Sequence, residues 1–166
     1  MMEEWLNTSV GPNGEWPESM ANYAEVSAAM LVVYAVAAKN AGIKDYTRDT
    51  RLQRLMLYLT KQYTPPDPRF AKPGTAALVG SPPSGRGPAY HQSGLSGMMA
   101  KALATDDPAF SRIMQWHWLR AGQSTGYLSD RMGGLEQLYM DPTLPAETPP
   151  WGTEHFPWMG ALLRQG

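Results

Sequence analysis

A chain of 166 residues with 43% hydrophobic content is long enough to bury one sizeable core, so a single globular domain is the default expectation. A formal charge of −1 and a pI near 6.3 provide no basic field for nucleic acid or an anionic membrane surface, and a polyanionic partner would need a local basic cluster. The absence of cysteine excludes a disulfide framework and a thiolate metal site, and leaves the compartment open.

The amino-terminal Met1-Met2-Glu3-Glu4-Trp5-Leu6 is acidic and has no apolar run, so it does not read as a secretory signal. Trp5-Leu6 reads instead as the last turn of a helix that began upstream. Asn13-Gly14 is a turn pair that tolerates positive φ, Pro17 suits a first helical position, and Glu18 complements the positive end of a helix dipole. The spacing predicts a helix over 17–40, with Gly42 as its stop. Residues 28–38 are apolar on every face, which predicts a central helix surrounded by others. The longer apolar run from Met20 to Ala38 is interrupted in its first half by Asn22, Glu25 and Ser27, which argues against a membrane span.

A second helix is predicted over 49–63, with Thr50 and Gln53 as a candidate capping box. Its stripe is Leu52, Leu55, Met56, Leu59 and Tyr63, while Arg51, Arg54 and Lys61 fall on a solvated face. Residues 64–89 form a Pro/Gly-rich connection longer than a compact domain ordinarily uses. A third helix over 93–104 carries Gly94 and Gly97, whose missing side chains permit close helix approach. The fourth has Asp107 as cap, Pro108 at its first position and Gly122 as its stop, with Phe110, Ile113, Met114 and His117 on its apolar side. A weaker helical turn over 131–140 and a Pro-rich tether over 142–150 precede a strand-like segment, which has barely begun when the chain stops at Gly166. Both ends therefore read as cut from a longer chain.

The fold class expected is all-α, with helices in inner and outer layers, long Pro/Gly-rich loops and a short carboxy-terminal strand-like segment. No repeat of fixed period supports the layering.

The run from Asn13 to Tyr23 resembles the heparinase II/III-like polysaccharide lyases, in which an Asp/Asn-Gly turn, a Glu and then a Tyr open a helix of an α/α toroid. The matching residues are Gly14, Glu18 and Tyr23. The resemblance continues through Thr64-Pro65-Pro66-Asp67-Pro68-Arg69, the Gly-rich loop over 82–87 and Gln115-Trp116-His117-Trp118. It ends in the segment from Phe156 to Arg164, which is similar to the entry strand of the β-domain that follows the toroid. The resemblance implies an incomplete toroid over 1–150 and the start of a truncated β-domain over 151–166. It implies an acidic polysaccharide as partner, a periplasmic or secreted location, no cofactor, and a longer parent with upstream helices and a downstream β-domain.

Such lyases remove the proton α to a uronate carboxylate and expel the glycosidic oxygen from the neighbouring carbon. The charged carboxylate must be neutralised, and a base and an acid must be supplied. By resemblance, Tyr23 is the catalytic acid and base, and Glu18 is a supporting acceptor or substrate contact. An unperturbed phenol, with a pKa of about 10, is a poor base at neutral pH and needs a cationic neighbour. The family's neutralising Asn or His and its β-domain His have no match here, so the 166 residues alone are expected to be inactive.

Trp16 is a candidate sugar-stacking residue beside Tyr23, although large aromatics more often serve a core. Arg86, Tyr90 and His91 are candidate contacts to an acidic sugar, although solvation is the commoner reason for isolated loop residues. His117, between Trp116 and Trp118, reads as a hydrogen-bonded core histidine. The three histidines are too far apart in sequence to suggest a metal site, and no phosphate-binding glycine loop is present. Two other functions fit the residues: a non-catalytic glycan-binding or structural helical module, and a glycoside hydrolase segment on a similar helical scaffold with Glu15, Glu18 or Glu25 among its carboxylates.

Overall fold

The computed structural model describes residues 2–17, 23–62, 93–123, 138–157 and 161–163, with the backbone alone for Tyr23, Glu25 and 161–163. The described elements are helices α1 (Met2–Ser9), α2 (Tyr23–Asn40), α3 (Thr50–Lys61), α4 (Ser93–Leu103) and α5 (Pro108–Arg120), then strands β1 (Glu154–Phe156) and β2 (Ala161–Leu163). The described residues are mostly helical, as expected. The strands form a small antiparallel pair in which Glu154 faces Leu163 and Phe156 faces Ala161.

Glycine ends two helices by the same device. At the end of α2, Ile43 N–H bonds Ala38 O and Gly42 N–H bonds Lys39 O, with Gly42 at φ +67°. At the end of α5, Gln123 N–H bonds Trp118 O and Gly122 N–H bonds Leu119 O, with Gly122 at φ +81°. Both are Schellman motifs, which satisfy orphan carbonyls by a left-handed residue after the helix. The amino-terminal cap of α5 is Asp107, whose carboxylate accepts from Phe110 N, with Pro108 in the first turn.

Three expectations need correction. The cap of α3 is Asp49, which accepts from Arg51 N, and not the Thr50/Gln53 pair. Gln53 reaches away from its own helix and donates to Asp107 at 3.1 Å and to Thr47 O at 3.3 Å. Lys61 is largely covered, because the strand segment crosses it and Glu154 pairs with it at 2.5 Å. α1 runs on to Ser9, so Trp5-Leu6 is not its last turn.

The stripe of α3 is buried at Leu52, Leu55, Met56 and Leu59, while Tyr63 lies outside the described residues. α2 buries Ala28, Leu31, Val32, Ala35 and Val36 but exposes 59% of Met30 and 47% of Tyr34. An all-apolar sequence therefore does not make α2 a surrounded helix. The more enclosed helix is α4, in which all but Lys101 and Ala102 are buried. Its small residues let α5 approach, and the absent side chain of Gly97 is filled by the Trp118 indole. Ser111 Oγ donates to Ala100 O across the same seam at 2.7 Å. Lys39 ties the end of α2 to the end of α4, donating to Ala102 O at 2.6 Å and to Asp106 at 2.5 Å.

Of the turn expected over 131–140, the described part is a single 3₁₀ turn at 138–139. The Pro-rich tether is docked on α5: Glu147 N–H bonds Arg112 O at 3.1 Å, and the Glu147 carboxylate takes Arg112 Nε at 2.8 Å. Gln115 holds the same segment through Asp141 O at 3.0 Å.

Candidate functional site

The turn ahead of α2 is built tightly onto α3. Gly14 N–H bonds Gly11 O at 2.9 Å, Gly11 N–H bonds Glu15 O at 2.8 Å, and Arg54 Nη1 donates to Pro12 O at 3.0 Å. Gly14 sits at φ +92°, and a Cβ there would lie 2.1 Å from Arg54 O. Only glycine fits, both for the dihedral and for the space. The turn expected from Asn13-Gly14 is thus present and fixed.

The next two side chains turn inward. The Glu15 carboxylate is fully buried and accepts from Asn13 N at 2.8 Å and from Asn13 Nδ2 at 3.3 Å. Trp16 is 4% exposed and belongs to the core. Tyr58 of α3 is buried nearby; desolvation, and then the Glu15 charge, push its phenol above the usual range. Its ring meets Phe156 edge-on at 5.0 Å, which joins the strand segment to the helical body.

Tyr23 opens α2 as the first described residue after this turn. Its side chain, and Glu18, Arg86, Tyr90 and His91, lie outside the described residues. The structure therefore locates the turn and Trp16 but brings no set of the sequence-predicted site residues together. Of the three carboxylates considered for hydrolysis, Glu15 is engaged by its own turn, and the other two side chains are not described. His155 lies in β1 and is exposed.

His117 is a core histidine, as its sequence context suggested. It is 2% exposed, and its Nδ1 lies 2.8 Å from Ser96 Oγ on α4. Burial, aided by the charge of Arg120, pushes its pKa down to about 3, so the ring is neutral at pH 7. It ties α4 to α5.

Sequence reasoning missed the half-covered group made by Lys61, Trp116, Arg120, Trp151 and Glu154. One signal was available, since Trp116 and Arg120 are four apart on a helix and so share a face. The approach of Trp151 and Glu154 to α3 depends on the distant tether and had no local signature.

An apolar hollow of about 300 Å³ lies elsewhere, between α1 and α2, lined by Met2, Trp5, Met30, Leu31 and Tyr34. Among the described residues no cluster of acidic or histidine side chains is arranged to hold a metal ion, and no helix is long and apolar enough to cross a membrane. No protein-family model, curated protein or solved structure matches the chain.

Proposed function

We propose that the chain is part of a polysaccharide lyase that cleaves a uronic-acid polysaccharide by β-elimination, with Tyr23 at its reacting centre. The observation that supports this reading most directly is the Gly14 turn clamped on α3, with Tyr23 as the first described residue of α2 and residues 18–22 between them outside the described residues. The helices are part of an α/α toroid on this reading, and β1 and β2 begin its β-domain.

In the reaction the phenolate of Tyr23 takes the proton from the carbon α to the uronate carboxylate. The electron pair left behind forms the carbon–carbon double bond as the glycosidic C–O bond breaks, and the phenol returns its proton to the leaving oxygen. The resemblance supplies this role for Tyr23 but matches no group that neutralises the carboxylate, so turnover requires residues beyond these. Losing one preorganised donor of that kind lowers the rate roughly 100-fold to 1,000-fold.

Tyr23→Phe, made in a parent chain that carries the toroid and β-domain complete, tests the assignment. The expected result is loss of most turnover, read as ultraviolet absorbance of the unsaturated uronate, with melting temperature and oligosaccharide affinity nearly unchanged. Near-normal turnover by the Phe variant removes Tyr23 from the mechanism. A non-catalytic helical module is the second reading, and the burial of Glu15 and Trp16 favours it; it predicts no unsaturated product from either protein.

A further inference from the structure

α5 carries a half-buried cation that no described residue neutralises. Arg120 stands over the Trp116 ring, its guanidinium carbon 5.1 Å from the ring centroid. Trp116 meets Trp151 edge-on at 5.8 Å with the rings perpendicular. Lys61 stands over Trp151, 5.2 Å from that ring's centroid. Each indole of the pair thus has a cation over its ring, and both indoles remain partly exposed.

The two cations differ in their partners. Lys61 is matched by Glu154 at 2.5 Å. The neighbouring Arg112 is matched by Glu147 at 2.8 Å. Arg120 takes no ion pair and no hydrogen bond among the described residues, and desolvation alone pulls its pKa down. It also stands close enough to His117 to disfavour a second charge there. A guanidinium presents five N–H donors in one plane, arranged to grip both oxygens of a carboxylate. Removing such a group partly from water without an acceptor is unfavourable unless a ligand supplies one.

We propose that Arg120, held over Trp116, is a binding residue for the carboxylate of an acidic saccharide, with the exposed parts of Trp116 and Trp151 against the sugar's C–H surface. The choice of a sugar rests on the uronate reading of the function; the demand for an oxyanion rests on Arg120 itself. Glu154 sharpens the selection. Its carboxylate is held by Lys61, leaving Arg120 as the unmatched cation of the group, so a single carboxylate completes the charge balance and a neutral sugar does not.

The test uses the whole chain and needs no turnover, so it is decided separately from the role of Tyr23. A tetragalacturonate and a neutral oligosaccharide of equal length are titrated against the wild type, Arg120→Lys and Arg120→Gln, with indole N–H resonances recorded throughout. The expected result is binding of the acidic sugar alone, with shifts concentrated on Trp116 and Trp151. Affinity should weaken at least about tenfold in Arg120→Gln and less in Arg120→Lys, which keeps the charge but loses the fork. The shift map on the wild type decides the matter even where the Gln variant fails to fold. No binding, equal binding of the neutral sugar, shifts confined to other indoles, or full affinity in a folded Arg120→Gln each overturns the proposal. Binding of an acidic peptide in preference to the tetragalacturonate overturns the choice of a sugar.

Discussion

The Cβ position of Gly97 lies 2.9 Å from Cδ2 of Trp118, across the seam between α4 and α5. Two further atoms of the same indole lie at 3.1 Å. The obstacle is the body of a buried ring and not the tip of a flexible chain. Alanine at 97 would gain about 1 kcal/mol of helix propensity, but overpacking of a tight core typically costs about 1–3 kcal/mol. Gly97→Ala is therefore expected to destabilise on balance, by about 1 kcal/mol, in chemical denaturation. A more stable Ala variant would mean that Trp118 moves aside freely and that the seam is looser than these distances imply.

Gln53, in α3, bonds the cap of α5, which is far away in sequence. Its amide nitrogen donates to Oδ2 of Asp107 at 3.1 Å, while Oδ1 of the same carboxylate takes Phe110 N at 3.2 Å. Asp107→Ala removes a cap and a tertiary bond together, and a loss of about 1–2 kcal/mol is expected. Gln53→Ala should cost less, about 0.5–1 kcal/mol, because the cap survives. The double variant should be less destabilised than the sum, with a coupling of about 0.5 kcal/mol or more in a denaturant-unfolding cycle. Strict additivity would show that the cross-helix bond contributes nothing.

What the sequence made legible was local. Gly42, Gly122 and the Asp107-Pro108 pair mark helix ends because capping is decided by a few adjacent backbone groups. The glycine of the Asn13-Gly14 turn was equally readable, though not that Arg54 O would exclude every other residue. Burial was harder to read. Residues 28–38 looked enclosed because they are apolar, yet Met30 and Tyr34 face outward, and α4, whose glycines were read as allowing close approach, is the better-buried helix because its Ser and Gly are small enough to pack. Composition reports whether burial is affordable, whereas packing depends on shape. Lys61 shows the same limit: its partner Glu154 arrives through a long connection whose path no local pattern records. Of the candidate site, Trp16 and the backbone of Tyr23 are described, and Glu18, Arg86, Tyr90 and His91 are not.

His117 should make stability fall with mild acid. Its folded pKa, about 3, is far below the roughly 6.5 of an unfolded histidine, because burial, and then the Arg120 charge, oppose protonation. Between these values the unfolded chain binds the proton and the folded chain does not, so lowering the pH favours unfolding. The contribution is fully present above about pH 6.5 and is lost progressively toward pH 3, at up to about 1.4 kcal/mol per pH unit. Asp45 and Asp49, whose carboxyls are held below the usual range, act in the same direction but only below about pH 4. Carboxylates such as Glu3 and Asp141, also held below the usual range, begin to contribute near the bottom of the interval from about pH 4.5 to 6.5. The histidine is therefore isolated by the difference between the wild type and a His117 variant. His117→Gln keeps a polar group near Ser96 but cannot be charged. Its denaturation free energy is expected to be lower than the wild type's at pH 7 and nearly flat down to pH 4.5, where the wild type declines. Parallel curves for the two proteins across that interval would show that His117 protonates as readily in the fold as in the unfolded chain, and that the buried Ser96–His117 contact does not hold the ring neutral.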